Sequence, residues 1–356
     1  MSEVTISSAN QAEHWDEKFF KDYHRGSQFN PYTGASENAV VHVKDISKKP
    51  GATTNISLIR KLEGDGVTGN TELDGAEEDL SDYAHPITTT YIRHGVRVTL
   101  EEEDKTVMNI RDAGRMMLKL WMQDKIRDEI IRELQCPVIG GGVAYADATE
   151  TQKDAWLAAN ADRVLFGALK SNNSSNDHSA SLSNCDTTAD TFTSAKLSLM
   201  KRMAKSPTNA PIRPIRVDGG GEWFVVFAGS DPFRDFSNDS VIISAHTSAM
   251  QRGKGNPLFV DGSLVWKGCI IIEVPELLTI GTVGASSAPV HTVLMCGAQA
   301  LGMAIKSRTK SIVDMQKDYQ FRPGVAVQEN RGVEKLFFNN VQHGVVTGYF
   351  AAAADA

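Results

Sequence analysis

No run of about eighteen apolar residues occurs in the chain, so nothing in it reads as a membrane-spanning helix. Residues 1–20 are polar and acidic where a secretory signal would carry a basic start and an apolar stretch, and the chain is expected to be made and folded in a cytoplasm. Only four cysteines are present: Cys136, Cys185, Cys269 and Cys296 stand far apart, with no CxxC spacing and no paired histidines at metal-ligand intervals. They read as scattered buried thiols, and no metal or other cofactor is expected. Basic clusters are also missing. None exceeds two adjacent residues and the formal net charge is −7, which argues against a chain whose task is to grip phosphate backbone.

Catalytic signatures are equally scarce. HExxH, P-loop, GxSxG and EF-hand patterns are absent. Gly64-Asp65-Gly66-Val67-Thr68-Gly69 does match the dinucleotide fingerprint GxGxxG. That pattern works only where a helix N-terminus opens to receive pyrophosphate, and residues 70–82 offer no apolar helical period and many carboxylates. Glu101, Glu102 and Glu103 read as a helix start, because adjacent helical residues do not converge on a substrate. Asp218-Gly219-Gly220-Gly221-Glu222 lacks the Lys and Ser/Thr of a phosphate cradle and reads as a hairpin turn before a strand at Trp223.

What the chain does have, at 356 residues, is length for two compact regions and two unusual pieces near its front. From Thr53 to Leu62 and from Pro86 to Leu100, β-branched residues dominate and predict two strands, with a Gly-rich acidic tip between them. One long helix is predicted next, from about Asp104 to Gln135, roughly 48 Å at 1.5 Å per residue. Thr99-Leu100-Glu101-Glu102 has capping-box spacing at its start, and Pro137 with Gly140, Gly141 and Gly142 ends it. Val107, Ile110, Met117 and Trp121 share one helical face, and Ile126, Ile130 and Leu134 lie on a face rotated by about 100°, so the helix should meet different neighbours along its length. An isolated ribbon is marginal in water, and the helix is long for one ordinary core; both pieces are expected to need other copies of the chain. Residues up to about Gly34 (Trp15, Phe19, Phe20, Tyr23, Phe29, Tyr32) read as an aromatic arm laid over a neighbour. Further along, Thr193 to Lys205 predicts an amphipathic helix, and Pro207, Pro211 and Pro214 mark entry into a region of mixed strands and helices.

Three short stretches carry a resemblance to a known family. They are Asn160-Ala161-Asp162-Arg163-Val164-Leu165-Phe166-Gly167 with the following Ser171-Asn172 and Asp177-His178-Ser179-Ala180-Ser181-Leu182; Asn256-Pro257-Leu258-Phe259 with Trp266-Lys267-Gly268; and Gly297-Ala298-Gln299-Ala300. From about Asn38 to Phe350 the chain resembles the major capsid proteins of tailed bacteriophages, in particular an N-four-like branch. The resemblance implies a mixed α+β fold of the Hong Kong 97 type. It implies an N-terminal arm (1–39), an extended β-hairpin loop (40–100), a peripheral domain with a spine helix (101–206, helix 104–135), an axial domain (207–310), and a return to the peripheral domain with a tail (311–356). It also implies a structural, non-enzymatic subunit of a virion, assembled in the host cytoplasm into hexamers and pentamers of an icosahedral head around double-stranded DNA that it does not bind specifically. Scaffolding, portal and decoration proteins are the implied partners, with no membrane. Arg163, Phe166, Gly297 and Gln299 match family positions and, with Trp121, are expected to serve assembly or the subunit's shape. Two rival readings are an encapsulin-type nanocompartment shell and, on the Gly64–Gly69 match alone, a nucleotide-binding enzyme.

Overall fold

The computed structural model describes residues 26–47, 51–59, 61–62, 64–70, 72–75, 77–79, 82–105, 110–206, 211–217, 221–250, 263–314 and 317–353. Trp15, Phe19, Phe20, Tyr23, Val107 and the stretch Asn256–Phe259 lie outside the described residues. In chain order, the front of the molecule gives strands β1 (Val41–Asp45), β2 (Thr53–Ile59), β3 (Asp82–Thr88) and β4 (Thr90–Arg97), then helices α1 (Leu100–Asp104) and α2 (Ile110–Gln135). The middle gives α3 (Glu150–Asn160), β5 (Val164–Phe166), α4 (His178–Ser183), α5 (Ser194–Lys205), β6 (Ile215–Val217), β7 (Gly221–Ala228), α6 (Ser230–Ser237), α7 (Ser240–Met250), β8 (Ser263–Trp266) and β9 (Cys269–Glu273). Strands β10 (Val290–Cys296), β11 (Leu301–Asp314), β12 (Gly324–Lys335) and β13 (Val345–Ala351) close the chain.

Two compact units result. The larger holds residues 28–90, 126–306 and 331–353; the smaller holds residues 26–27, 91–125 and 307–330. The units thus draw on discontinuous segments, and the long helix contributes its first half to one and its second half to the other.

The larger unit is built on a mixed sheet in the order β5-β13-β10-β7-β9-β8. Every residue of β10 and β13 is buried, as expected of apolar, β-branched strands covered on both faces. Alternation divides β7 between two cores. Phe224 and Val226 join Leu197, Met200 and Met203 of α5 and Phe236 of α6. Val225 and Phe227 join Ile130, Ile131 and Leu134 from the second half of α2. Phe29 also lies in that second core, 4.6 Å from the Phe227 ring, with Tyr32 packed beside it. These two aromatics therefore belong to the subunit's own interior and not to an arm over a neighbour. All four cysteines are free and buried, and burial pushes the Cys185 and Cys296 thiols up to about 12.

In the smaller unit the first half of α2 packs Leu118, Met122 and Trp121 against Val325 and Val327 of β12 and Ile92 of β4. The change of neighbours along the helix is as the sequence predicts, but Met117 is 37 % exposed and Leu118 and Met122 carry the buried face. Thr99 caps the short helix α1, accepting from the Glu102 amide at 3.3 Å, and α2 is described from Ile110 onward.

The strand predicted over Pro86–Leu100 is two strands. β3 pairs antiparallel with β2, from Thr53 opposite Thr88 to Ile59 opposite Asp82, and β4 lies beside β12 in the other sheet. Thr89 is the break: it is buried, and its amide and hydroxyl both donate to the Ala52 carbonyl at 2.8 Å. The ribbon is also less dependent on neighbours than expected. At its root Ile87 is fully buried and, with Ile56, packs on Ile46, Ala304, Leu336 and Phe338. Gly302 makes room for this seat, since a Cβ there would lie 2.5 Å from Ile87 Cδ1 and 2.7 Å from Ile56 Cδ1. Lys44 Nζ donates to the Asn55 carbonyl at 2.6 Å, and His85 Nε2 lies 3.3 Å from Glu334 Oε2. The far end is bare: Ile59, Leu62 and Leu73 are all more than half exposed. No helix occurs among described residues 64–79, so the condition for a dinucleotide fingerprint is not met.

Candidate functional site

Two of the three motif stretches converge on one turn in the larger unit. This turn, residues 339–344, connects the end of the β11–β12 hairpin to β13, with Asn339 and Asn340 in the left-handed region at φ 51° and 63°. Asparagine tolerates that region because its short side chain replaces backbone hydrogen bonds.

From one side comes the segment between α3 and β5. Asn160 is fully buried; its Oδ1 accepts from the Gln342 amide at 2.8 Å and its Nδ2 donates to the Trp156 carbonyl at 2.9 Å. Arg163, 3 % exposed, donates from Nη1 to the carbonyls of Gln342 and His343, the latter at 3.1 Å. Burial lowers the pKa of the guanidinium, partly offset by Asp162. The same burial, with Arg163 and Arg213 nearby, drives His343 down to about 4.

From the other side comes the turn between β10 and β11. The Gly297 amide donates to Gly344 O at 2.8 Å, Ala298 to Arg213 O at 2.8 Å, Gln299 to Ala39 O at 2.8 Å, and Ala300 to Val40 O at 2.9 Å. Four consecutive amides thus tie three distant segments. Gln299 holds φ +55°, and a Cβ on Gly297 would collide with the Arg213 carbonyl. Gly344 is packed as closely, with Ala300 Cα 2.7 Å from where its Cβ would be.

Phe166 is the last residue of β5. Its ring stacks on Tyr349 of β13 at 5.1 Å and 18°, and both rings flank His178 at 5.8 and 5.3 Å. Tyr145 and Trp156 complete a box around that imidazole. The helix carrying it is capped by Asp177, which accepts from the Ala180 amide at 2.8 Å. Burial, then the nearby Lys153, pushes His178 down to about 4 against the opposing pull of Glu150, Asp154 and Asp177. Trp121 is not part of this arrangement: it sits in the smaller unit, its ring 4.6 Å from His94.

Of the residues singled out from the sequence, Arg163, Gly297 and Gln299 meet at the junction and Phe166 lies one strand away. Asn160 and Gly344 were not singled out as site residues. The Asn339-Asn340 pair with Gly344 is the sequence signal that could have found the turn. Chemically the junction is a hydrogen-bonded knot of backbone, held by Asn160, Arg163 and the amides of residues 297–300, while the buried side-chain amide of Gln342 has no hydrogen-bond partner among the described residues. Among the described residues, no three His, Cys, Asp or Glu side chains are grouped to hold a metal ion.

Comparison with known proteins agrees with this architecture. The chain is 27% identical over 364 residues to a major capsid protein of Pseudomonas phage KPP25, covering 95% of this chain and 94% of that one. Its structure is similar to the capsid asymmetric unit of cyanophage Pam1, with a TM-score of 0.89, 34% identity and full coverage of both chains. The capsid of Ralstonia phage GP4 is similar at a TM-score of 0.76, 20% identity and full coverage of both chains, and shares the fold. The phage capsid protein family matches over residues 3–353. With the family matching over nearly the whole chain, the chain belongs to the phage capsid protein family, as a structural major capsid protein of the Hong Kong 97 type and not an enzyme.

Proposed function

We propose that copies of this chain form the hexamers and pentamers of an icosahedral phage head, assembled in the bacterial cytoplasm and filled with double-stranded DNA. The observation that carries this reading is the divided character of the β2–β3 hairpin, with Ile87 at its root fully buried and Leu62 and Leu73 beyond its strands 52 % and 58 % exposed. A ribbon fixed at one end and bare at the other projects apolar and acidic surface that a neighbouring copy would cover. The smaller unit plays the peripheral part around the spine helix, and the segment from β6 to β9 the axial part. Arg163, Phe166, Gly297 and Gln299 keep the subunit rigid while the hairpin moves, and Trp121 does the same for the smaller unit. Scaffolding, portal and decoration proteins act on this framework during maturation to a thinner shell. The net charge of −7 keeps the wall from seizing the DNA it encloses. Negative-stain imaging of the purified chain tests the proposal: shells, tubes or capsomer rings are expected, and a uniform small monomer under every assembly condition would refute it.

A further inference from the structure

One motif stretch from the sequence, Trp266-Lys267-Gly268, has no part in the junction. It forms the tight turn between β8 and β9, with Trp266 paired to Cys269 and both turn residues in the left-handed region, Lys267 at φ 46° and Gly268 at φ 74°. Asparagine or glycine suits the first of those positions, and a lysine there strains the backbone. Its ammonium sits 5.8 Å from the centre of the Trp266 ring and donates to Ser198 Oγ at 3.3 Å, while Lys201 Nζ donates to the Lys267 carbonyl. Gly268 leaves space for this contact, since a Cβ there would lie 2.9 Å from Lys201 Nζ. Ser198, Lys201, Arg202 and Lys205 follow at helical spacing and form one stripe of α5, about 10 Å long at 1.5 Å per residue. Arg216 of β6 stands opposite Glu222 of β7, whose carboxylate pairs with Lys205 at 2.8 Å. Arg202, Lys205, Arg216 and Lys267 are exposed and Lys201 is half-buried.

Folding thus gathers five cations from three separate stretches, which is why no basic cluster shows in the sequence itself. Across α5, β6, β7 and the hairpin as far as Ile272 the one acid is Glu222, so five cations less one carboxylate leave the patch at +4. Lys196, at the other end of α5, faces Asp190, Asp239 and Asp186 instead. The dipole of a helix end favours cations, which accounts for Arg202 and Lys205. It does not account for Lys267 on a strained turn or for Arg216 on a strand. Among the described residues of these elements no large apolar side chain is exposed. The patch therefore lacks the apolar anchor that a peptide partner uses, whereas a phosphate backbone needs only cations and donors. Resting on the capsid reading above, we infer that this patch is a contact surface for the phosphate backbone of the enclosed duplex, so that this face of the larger unit is the one turned toward the interior of the head. The contact is independent of base sequence and weak, because the rest of the chain is acidic.

Salt dependence of DNA binding tests it. A fluorescent duplex of about 20 base pairs and arbitrary sequence is titrated with the purified full chain, and anisotropy is read from about 25 to about 150 mM salt. Each neutralised phosphate contributes about −0.9 to the slope of log affinity on log salt, so four contacts should give about −3.6. Lys201→Gln with Arg202→Gln and Lys267→Gln should bring the slope to about −0.9, and Glu222→Gln, which removes the one acid, should steepen it by about 0.9 and tighten binding. A control on the smaller unit, Arg93→Gln with Arg308→Gln and Lys310→Gln, should leave both slope and affinity as in the parent. A parental chain that binds no duplex at about 25 mM salt, a triple variant that keeps the parental slope, or a control that loses it would each overturn the inference. So would an oligoglutamate of equal charge that binds more tightly than the duplex, which would make the partner an acidic protein. Should the triple variant unfold by circular dichroism, Glu222→Gln decides alone, and an unchanged slope there overturns the inference. Parental chains that never form shells would refute the capsid reading itself, whereas shells from a chain that binds no duplex would refute only this inference.

Discussion

Gly297 has no room for a side chain, since a Cβ would strike the Arg213 carbonyl that the neighbouring Ala298 amide uses. Gly297→Ala should therefore destabilise the subunit by about 1–3 kcal/mol, the usual cost of forcing extra volume into a packed site, measured by urea unfolding of the free subunit. Arg163→Met should cost a similar amount, about 1–3 kcal/mol, by leaving the Gln342 and His343 carbonyls buried without their donor. The buried histidines add a pH dependence. His178 and His343 are both held down to about 4 in the folded chain. An unfolded histidine takes up its proton near pH 6.5, so from about 6.5 down to about 4 the unfolded state binds more protons and stability falls with pH. Each group contributes at most about 3 kcal/mol to that loss. Melting temperature recorded from pH 7 to pH 4 should drop, and His178→Phe should flatten the slope; an unchanged slope would show that His178 is not among the groups that set it.

The elements that could be read from sequence are those decided locally. The Thr99 cap, the Pro137 stop, the amphipathic run at Thr193–Lys205 and the strands at Thr53 and Trp223 all stand where residue chemistry puts them. The break at Thr89 could not be read, because Pro86–Leu100 is evenly β-forming and only the long-range bonds to Ala52 divide it. Nor could the seat of Ile87, which depends on Gly302 approaching from far along the chain. That seat changes what the hairpin should do in solution. In the free subunit, amides of Thr54–Ile56 and Ile87–Thr88 near the root should be protected from hydrogen exchange, and residues 64–79 should exchange fast until assembly covers them. Equal protection of root and tip in the free subunit would contradict the divided hairpin. Ile87→Ala should release the root, at a cost of about 2–5 kcal/mol.

At the scale of the molecule, the segment before β1 is tied into the larger unit by Phe29, fully buried against Phe227. Phe29→Ala should remove about 3–5 kcal/mol, the usual cost of losing a core phenylalanine. Thermal or urea unfolding of the variant measures it; unchanged stability would place Phe29 outside the core. The other end of the chain has a different role. β13 runs between β5 and β10, paired on both sides and buried at every residue, and it supplies Val346 and Phe350 to one core and Val345 to another. β13 is thus an interior strand of the main sheet, and a copy stripped of it would leave β5 and β10 facing each other across a gap with both cores open. Damage to this one strand would therefore unmake the whole larger unit, where damage at a sheet edge would cost only one ladder.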